Sequence, residues 1–222
     1  MPIMKKNSLT ANELDTKVCE YIKIFDIGEL GNQLSLIASG QLDEIYDRGP
    51  NANRYYQWLA CLMRVLKPKQ VVELGAAAGI STIMMASQLP KESKLYSVDI
   101  DKSIAWKWMN RDYPQVEKVL GDDTDPDLWR KNWSGSKFDG TFDMELGPDL
   151  SKTDIWFIDA LHTKEHLQKE LDLYTPFFKK GTVVVLDDIR MDGLWDIWRA
   201  LPYDKCETTN PNHHTGFGHF IV

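Results

Sequence analysis

Residues 71–82 read VVELGAAAGIST, and this stretch decides the fold. A short apolar strand runs into a tight turn of small residues, and a helical pattern starts at once. Gly75 and Gly79 let the backbone approach a ligand, and the free N–H groups of a helix start face anions. The glycines are spaced G-x-x-x-G, with Ala77 and Ile80 where a dinucleotide fingerprint wants glycine. The Gly-Lys-Ser/Thr ending of a phosphate loop is also missing. Such a turn suits a carboxylate better than a di- or triphosphate, with Ser81 placed to hydrogen-bond it.

Outward from this turn, strands and helices alternate. Strands are predicted over 94–99 (KLYSVD) and 116–120, and helices over 79–89, 102–111 and 124–131. Residues 154–159 (DIWFID) and 182–187 (TVVVLD) are nearly continuous apolar runs, as central strands covered on both faces require. Helices follow over 163–173 and 191–201, and a hairpin pairs 206–209 with 218–222. The alternation implies a parallel sheet with right-handed crossovers. The fold class is therefore α/β, doubly wound and Rossmann-like. The segment 133–152 interrupts the pattern with glycines and acids, and is either a lid or an inert insertion.

Upstream, residues 54–66 (RYYQWLACLMRVL) form a strong helix closed by Pro68. Residues 1–52 carry two or three short amphipathic helices, an amino-terminal extension expected to be a lid or a homodimer contact; residues 53–222 are the main domain. The net charge of -7 gives no electrostatic grip on nucleic acid or anionic lipid. Cys19, Cys61 and Cys206 lack zinc spacing and read as reduced thiols. With no membrane-length or signal-like apolar run, a cytoplasmic enzyme is expected.

Two more strand ends accompany the glycine turn. Asp99 closes the second strand, where such folds set an acid against ribose hydroxyls, and Gly121-Asp122-Asp123 follows the third, where an acid can accept from an adenine amino group. Taken singly, the turn serves helix packing as readily as binding, and a strand-end Asp is commonly a cap. Together they indicate a nucleoside-type cofactor.

The series E-L-G-x-x-x-G-x-S, strand-end acid and G-D resembles the class I S-adenosylmethionine methyltransferases, from about residue 53 to the end. The resemblance implies a seven-stranded sheet of order 3-2-1-4-5-7-6. It also implies S-adenosylmethionine as cofactor, with Glu73, Gly75, Ala77 and Ser81 beside its methionine part, Asp99 at ribose, and Asp122 or Asp123 at adenine.

The fourth strand ends Asp159-Ala160-Leu161-His162 and the fifth ends Asp187-Asp188. Neighbouring parallel strands would bring Asp159, Asp187 and Asp188 together, and three such carboxylates repel unless protons or a cation neutralise them. A hard divalent ion such as Mg²⁺ fits that need, and His162 suits a general base. The alternative is that the acids cap strands and His162 only begins a helix. This half resembles metal-dependent O-methyltransferases of the catechol and caffeoyl-CoA type. Here, however, an Asp-Asp pair replaces their Asp-Asn, and His162 their Lys. In those two features it is closer to bacterial natural-product enzymes, including macrolide-sugar O-methyltransferases.

The expected activity is Mg²⁺-assisted methyl transfer to a hydroxyl of a small molecule. Its rivals are metal-independent transfer to an amine and a non-catalytic nucleoside-binding subunit. His213 and His214 are expected in the hairpin loop, which is either solvated or overhangs the acceptor pocket, His166 on a helix surface and His219 within a strand. Trp106, Trp108, Trp195 and Trp198, at helical spacing, are expected in core or interface.

Overall fold

The computed structural model describes residues 9–25, 54–101, 113–133, 147–191, 193–208 and 213–222. Its strands are β1 (Gln70–Leu74), β2 (Lys94–Asp99), β3 (Val116–Leu120), β4 (Ile155–Ile158), β5 (Val183–Asp187), β6 (Asp204–Glu207) and β7 (Phe217–Ile221). They form one sheet in the order β3-β2-β1-β4-β5-β7-β6, as the sequence resemblance implied. The first five strands run parallel, and β7 pairs antiparallel with both β5 and β6. Described helices are α1 (Ala11–Ile22), α2 (Tyr55–Leu66), α3 (Ile80–Gln88), α4 (Leu128–Trp133), α5 (Lys164–Tyr174) and α6 (Leu194–Ala200).

The period of two along each strand divides the core between two faces. Val71, Leu95, Ile155, Phe157, Val183 and Val185 face one side, where they join a cluster with Trp58, Leu59 and Met84 from α2 and α3. Val72, Val98, Trp156, Ile158, Val184 and Leu186 face the other, clustered with Leu167, Leu171 and Trp198 from α5 and α6. Covering on both faces explains why these strands have no polar alternation.

Thr10 and Glu13 form a capping box that starts α1, and Leu14, Val18 and Ile22 repeat at four-residue spacing along its buried side. The helix shares the first core cluster with α2. Trp58 Nε1 donates to the buried Asp15 at 3.0 Å, and Ala11 N donates to Asp204 Oδ2 at 2.8 Å. His219, fully buried in β7, lies 3.0 Å from Ala11 O.

Helix α4 begins later than its sequence pattern suggests. Thr124 N donates to Asp122 Oδ1 and Asp127 N to Asp125 Oδ1, so side-chain turns hold the chain up to Leu128. Trp198 is buried, whereas Trp195 is exposed. The other helices expected before residue 50, the helix over 102–111 with Trp106 and Trp108, and most of segment 133–152 lie outside the described residues. The three cysteines are free thiols, and among the described residues no helix is long and apolar enough to cross a membrane.

Candidate active site

The carboxyl ends of β1, β2, β4 and β5 share one edge of the sheet. Gly75 follows β1 with φ +87, and its N–H donates to Val98 O in β2 at 3.0 Å. A Cβ built on Gly75 would stand 2.0 Å from Asp159 O, so this position must be glycine for the ends of β1 and β4 to meet. The turn is therefore in backbone contact with the strand end that carries Asp159. Ala77, at φ +43, and Gly79, at φ +81, complete it.

Asp99 braces the turn: its Oδ2 accepts from Ala76 N at 3.0 Å and Ala77 N at 2.6 Å, and its Oδ1 from Asp101 N at 2.7 Å. A carboxylate offers about four acceptor positions, so capacity remains for a ligand hydroxyl. Helix α3 starts from Gly79 with no side-chain cap, which leaves its first turn to a ligand or water.

Ser81 differs from its expected role. It is buried and donates to Glu73 Oε1 at 2.5 Å, while Thr82 and Ser97 donate to Oε2 at 2.6 and 2.7 Å. A carboxylate beneath the turn needs these donors, so Glu73 and Ser81 tie β1, β2 and α3 together. Burial nevertheless pushes Glu73 up to about 7, against the pull of the three hydroxyls. Because this folded value exceeds the unfolded one, the stabilising effect of the proton is complete below about pH 4.5 and is lost as pH rises through about 7. Glu73→Gln should remove that dependence. In urea titrations from pH 5 to 8 the wild type should lose up to ~3 kcal/mol relative to the variant.

At the ends of β4 and β5 the expected acids gather with two imidazoles. His162 Nε2 lies 3.0 Å from Asp159 Oδ1, and its Nδ1 lies 2.8 Å from Asp188 Oδ2. Hydrogen bonds to these carboxylates push His162 up to about 10. Burial, reinforced by Asp159 and Asp188, drives Asp187 well above the usual range; burial likewise raises Asp159. Burial also works against ionised Asp188, but hydrogen bonds from His162 and Thr215 outweigh it and keep this acid low. Asp188 is held at φ +55, a left-handed conformation that Asp tolerates better than most residues.

His213 departs from the solvated alternative for its loop. Its side chain is 9% exposed, with Nε2 3.4 Å from Asp187 Oδ1 and Nδ1 2.8 Å from Thr215 Oγ1. The Tyr55 ring meets it edge-on at 4.8 Å. Burial lowers its pKa, which favours the neutral imidazole that metals bind. The antiparallel return of β7 explains the placement. Phe217 pairs with Asp187, so residues just before β7 overlie the end of β5. His214 is exposed.

The two acids after β3 diverge. Asp122 is exposed and accepts from Thr124 N at 2.8 Å and Thr124 Oγ1 at 2.7 Å. Asp123 is buried, with Oδ1 2.8 Å from His166 Nε2. His166 is thus no surface residue, its side chain being only 16% exposed.

Ligand atoms of Asp187, Asp188 and His213 lie within 4.8 Å of one another, and this donor set, with the raised Asp187 among them, fits a divalent cation. Asp159 borders that trio through Asp187 and His162. The uncapped start of α3, the braced turn and Asp99 likewise fit a cofactor with a carboxylate and a ribose.

The family described as "Methyltransferase domain" matches residues 72–189. A catechol O-methyltransferase of Niastella koreensis is 31% identical over 153 residues; the match covers 65% of this chain and 58% of that protein's length. Among solved structures, an O-methyltransferase of Streptomyces achromogenes involved in tomaymycin synthesis, in complex with SAM, superposes with a TM-score of 0.59 at 18% identity. That match covers 96% of this chain and 99% of the other. An O-methyltransferase of Bacillus cereus in complex with SAH gives 0.53 at 17% identity, covering 93% and 91%. At these identities the structural likeness is one of fold. The family match spans the glycine turn, Asp99, Asp159 and the Asp187-Asp188 pair, and by it this chain belongs to the methyltransferase-domain family.

Proposed function

We propose that the protein is an S-adenosylmethionine-dependent O-methyltransferase acting, with the assistance of Mg²⁺ or a similar cation, on a hydroxyl of a small molecule. The gathering of Asp159, Asp187, Asp188, His162 and His213 at strand ends in backbone contact with the glycine turn carries this reading.

The uncapped start of α3 would receive the methionine carboxylate, and Asp99 would accept from ribose hydroxyls. Asp122 would accept from the adenine amino group, because the Asp123 side chain is paired with His166 of α5. Ile100, 73% exposed beside Asp99, offers an apolar face for the base. Asp159, Asp187 and Asp188 would offer the cation oxygen ligands, with the His213 imidazole beside them. When bound, the cation lowers the pKa of a hydroxyl at the site, and the cofactor supplies an electrophilic methyl.

His162 then moves the proton. Between Asp159 and Asp188 it is itself protonated near neutrality. With those acids neutralised by a bound ion, the imidazole would release that proton and accept one from the acceptor hydroxyl. Tyr55, itself buried, packs edge-on against His213 beside these acids.

The protein incubated with S-adenosylmethionine and a panel of catechols, phenols and sugars should form S-adenosylhomocysteine and an O-methylated product, read by mass spectrometry. EDTA should cut turnover at least about 10²-fold and added Mg²⁺ should restore it, whereas Asp187→Asn should stay low in excess Mg²⁺. The partial charge balance that His162 provides favours a second reading, transfer without a metal. Turnover unchanged by EDTA and by Asp187→Asn would select it. Absence of cofactor binding in calorimetry would remove both.

A further inference from the structure

Asp123, His166 and Glu170 form a second cluster, which shares no side chain with the proposed active-site acids. His166 and Glu170 stand four residues apart on α5 and so present one face to the turn after β3. Tyr174, one helical turn on, donates from Oη to Asp123 O at 2.6 Å and fixes that turn against the helix. Ligand atoms of the three residues all lie within 4.8 Å of one another. His166 Nε2 is 2.8 Å from Asp123 Oδ1 and 3.9 Å from Glu170 Oε1.

Glu170 is the telling member. It is 1% exposed, yet its Oε1 has no hydrogen-bond partner. His166 Nε2 meets Asp123 as an ion pair at 2.8 Å without good hydrogen-bond geometry. A buried carboxylate oxygen with no donor, beside a buried ring nitrogen held only by an ion pair, is costly unless something binds there. Pairs of ligands around a first-row ion with bonds of about 2.0–2.2 Å lie roughly 3–4 Å apart, which is the scale of these separations.

We propose that Asp123, His166 and Glu170 form a second divalent-cation site that clamps the turn after β3 to α5. One imidazole and two carboxylates suit an ion of the Zn²⁺ or Mn²⁺ type better than Mg²⁺ or Ca²⁺, which prefer all-oxygen sets. The partial exposure of His166 provides the route in. The cation holds in place the turn carrying Asp122, and so acts on structure rather than on chemistry.

The full chain, stripped with EDTA and dialysed, is titrated with Zn²⁺ in a calorimeter. In the Asp187→Asn/Asp188→Asn background one equivalent should still bind and raise the melting temperature. Adding Glu170→Gln or His166→Gln should weaken that binding by more than the roughly 10–100-fold that loss of a supporting contact costs, and abolish the shift in melting temperature. Circular dichroism in EDTA checks folding; should His166→Gln not fold, the near-isosteric Glu170→Gln decides. The site is overturned if the double-Asn background binds no Zn²⁺, or if folded Glu170→Gln in that background binds Zn²⁺ as tightly as its parent. Neither result bears on methyl transfer, which is measured separately.

Discussion

His162→Gln should lower kcat for methyl transfer by about 10²–10⁴-fold, the range associated with loss of a positioned general base. Calorimetry should find cofactor affinity little changed, because the imidazole pairs with the acids that follow β4 and β5, Asp159 and Asp188. Equal loss of kcat and kcat/KM for the acceptor would place the residue in the transition state, whereas a rise in KM alone would make it a binding residue. The metal-free protein offers an independent check. The folded pKa of about 10 is raised above the ordinary histidine value, chiefly by hydrogen bonds to Asp159 and Asp188. The stabilisation is therefore complete below about pH 6.5 and is lost as pH rises through about 10. In EDTA, the stability gap between wild type and His162→Gln should be wider at pH 6 than at pH 10. A gap that does not change with pH would mean that the imidazolium bridge contributes nothing.

Gly75→Ala should destabilise the fold by about 2–5 kcal/mol, adding roughly 1–2 for a side chain in left-handed backbone to roughly 1–3 for forced overpacking. For a domain of this size that is a fall in melting temperature of roughly 4–20 °C. The added methyl would meet Asp159 O at 2.0 Å and Ala160 Cα at 2.7 Å. These are backbone atoms, which cannot swing aside as a flexible side chain does, so relief requires separating β1 from β4. Any variant that folds should therefore bind cofactor poorly and also have its Asp159 displaced. A melting temperature within 2 °C of wild type, by the same conversion, would show that the strand ends spread at little cost.

β1, β2, β4 and β5 were legible because each is short, largely apolar and bounded by a residue with a local duty, whereas the polar β6 spans Asp204–Glu207, two residues before the expected 206–209. β2 ends at Asp99 and β5 at Asp187, as their acidic termini suggested. The end of β3 was equally plain, but the start of α4 was not, since Asp122 and Asp125 compete for the backbone with the helix. The candidate site was legible as a set of strand-end acids plus His162. His213 was not, because its place depends on the register of β7 against β5, a pairing of residues thirty positions apart in the chain. His166 was misplaced for a similar reason. Helical spacing shows which residues share a face, but not that the turn after β3 covers it. Ser81 was put on the wrong partner because nothing local reveals that Glu73 is fully buried beneath it.

The opening stretch, VVELGAAAGIST, divides the two contributions. By itself the sequence determined a buried strand, a small-residue turn and a helix start, since period, side-chain volume and glycine placement act on neighbours along the chain. Only the tertiary structure decided what those residues meet. It closed Gly75 onto Asp159, braced the turn with Asp99 and turned Ser81 onto Glu73. It also brought His213 over Asp187. These contacts follow from strand order and register, which are set by burying both faces of the whole sheet at once and so are not written in any single segment.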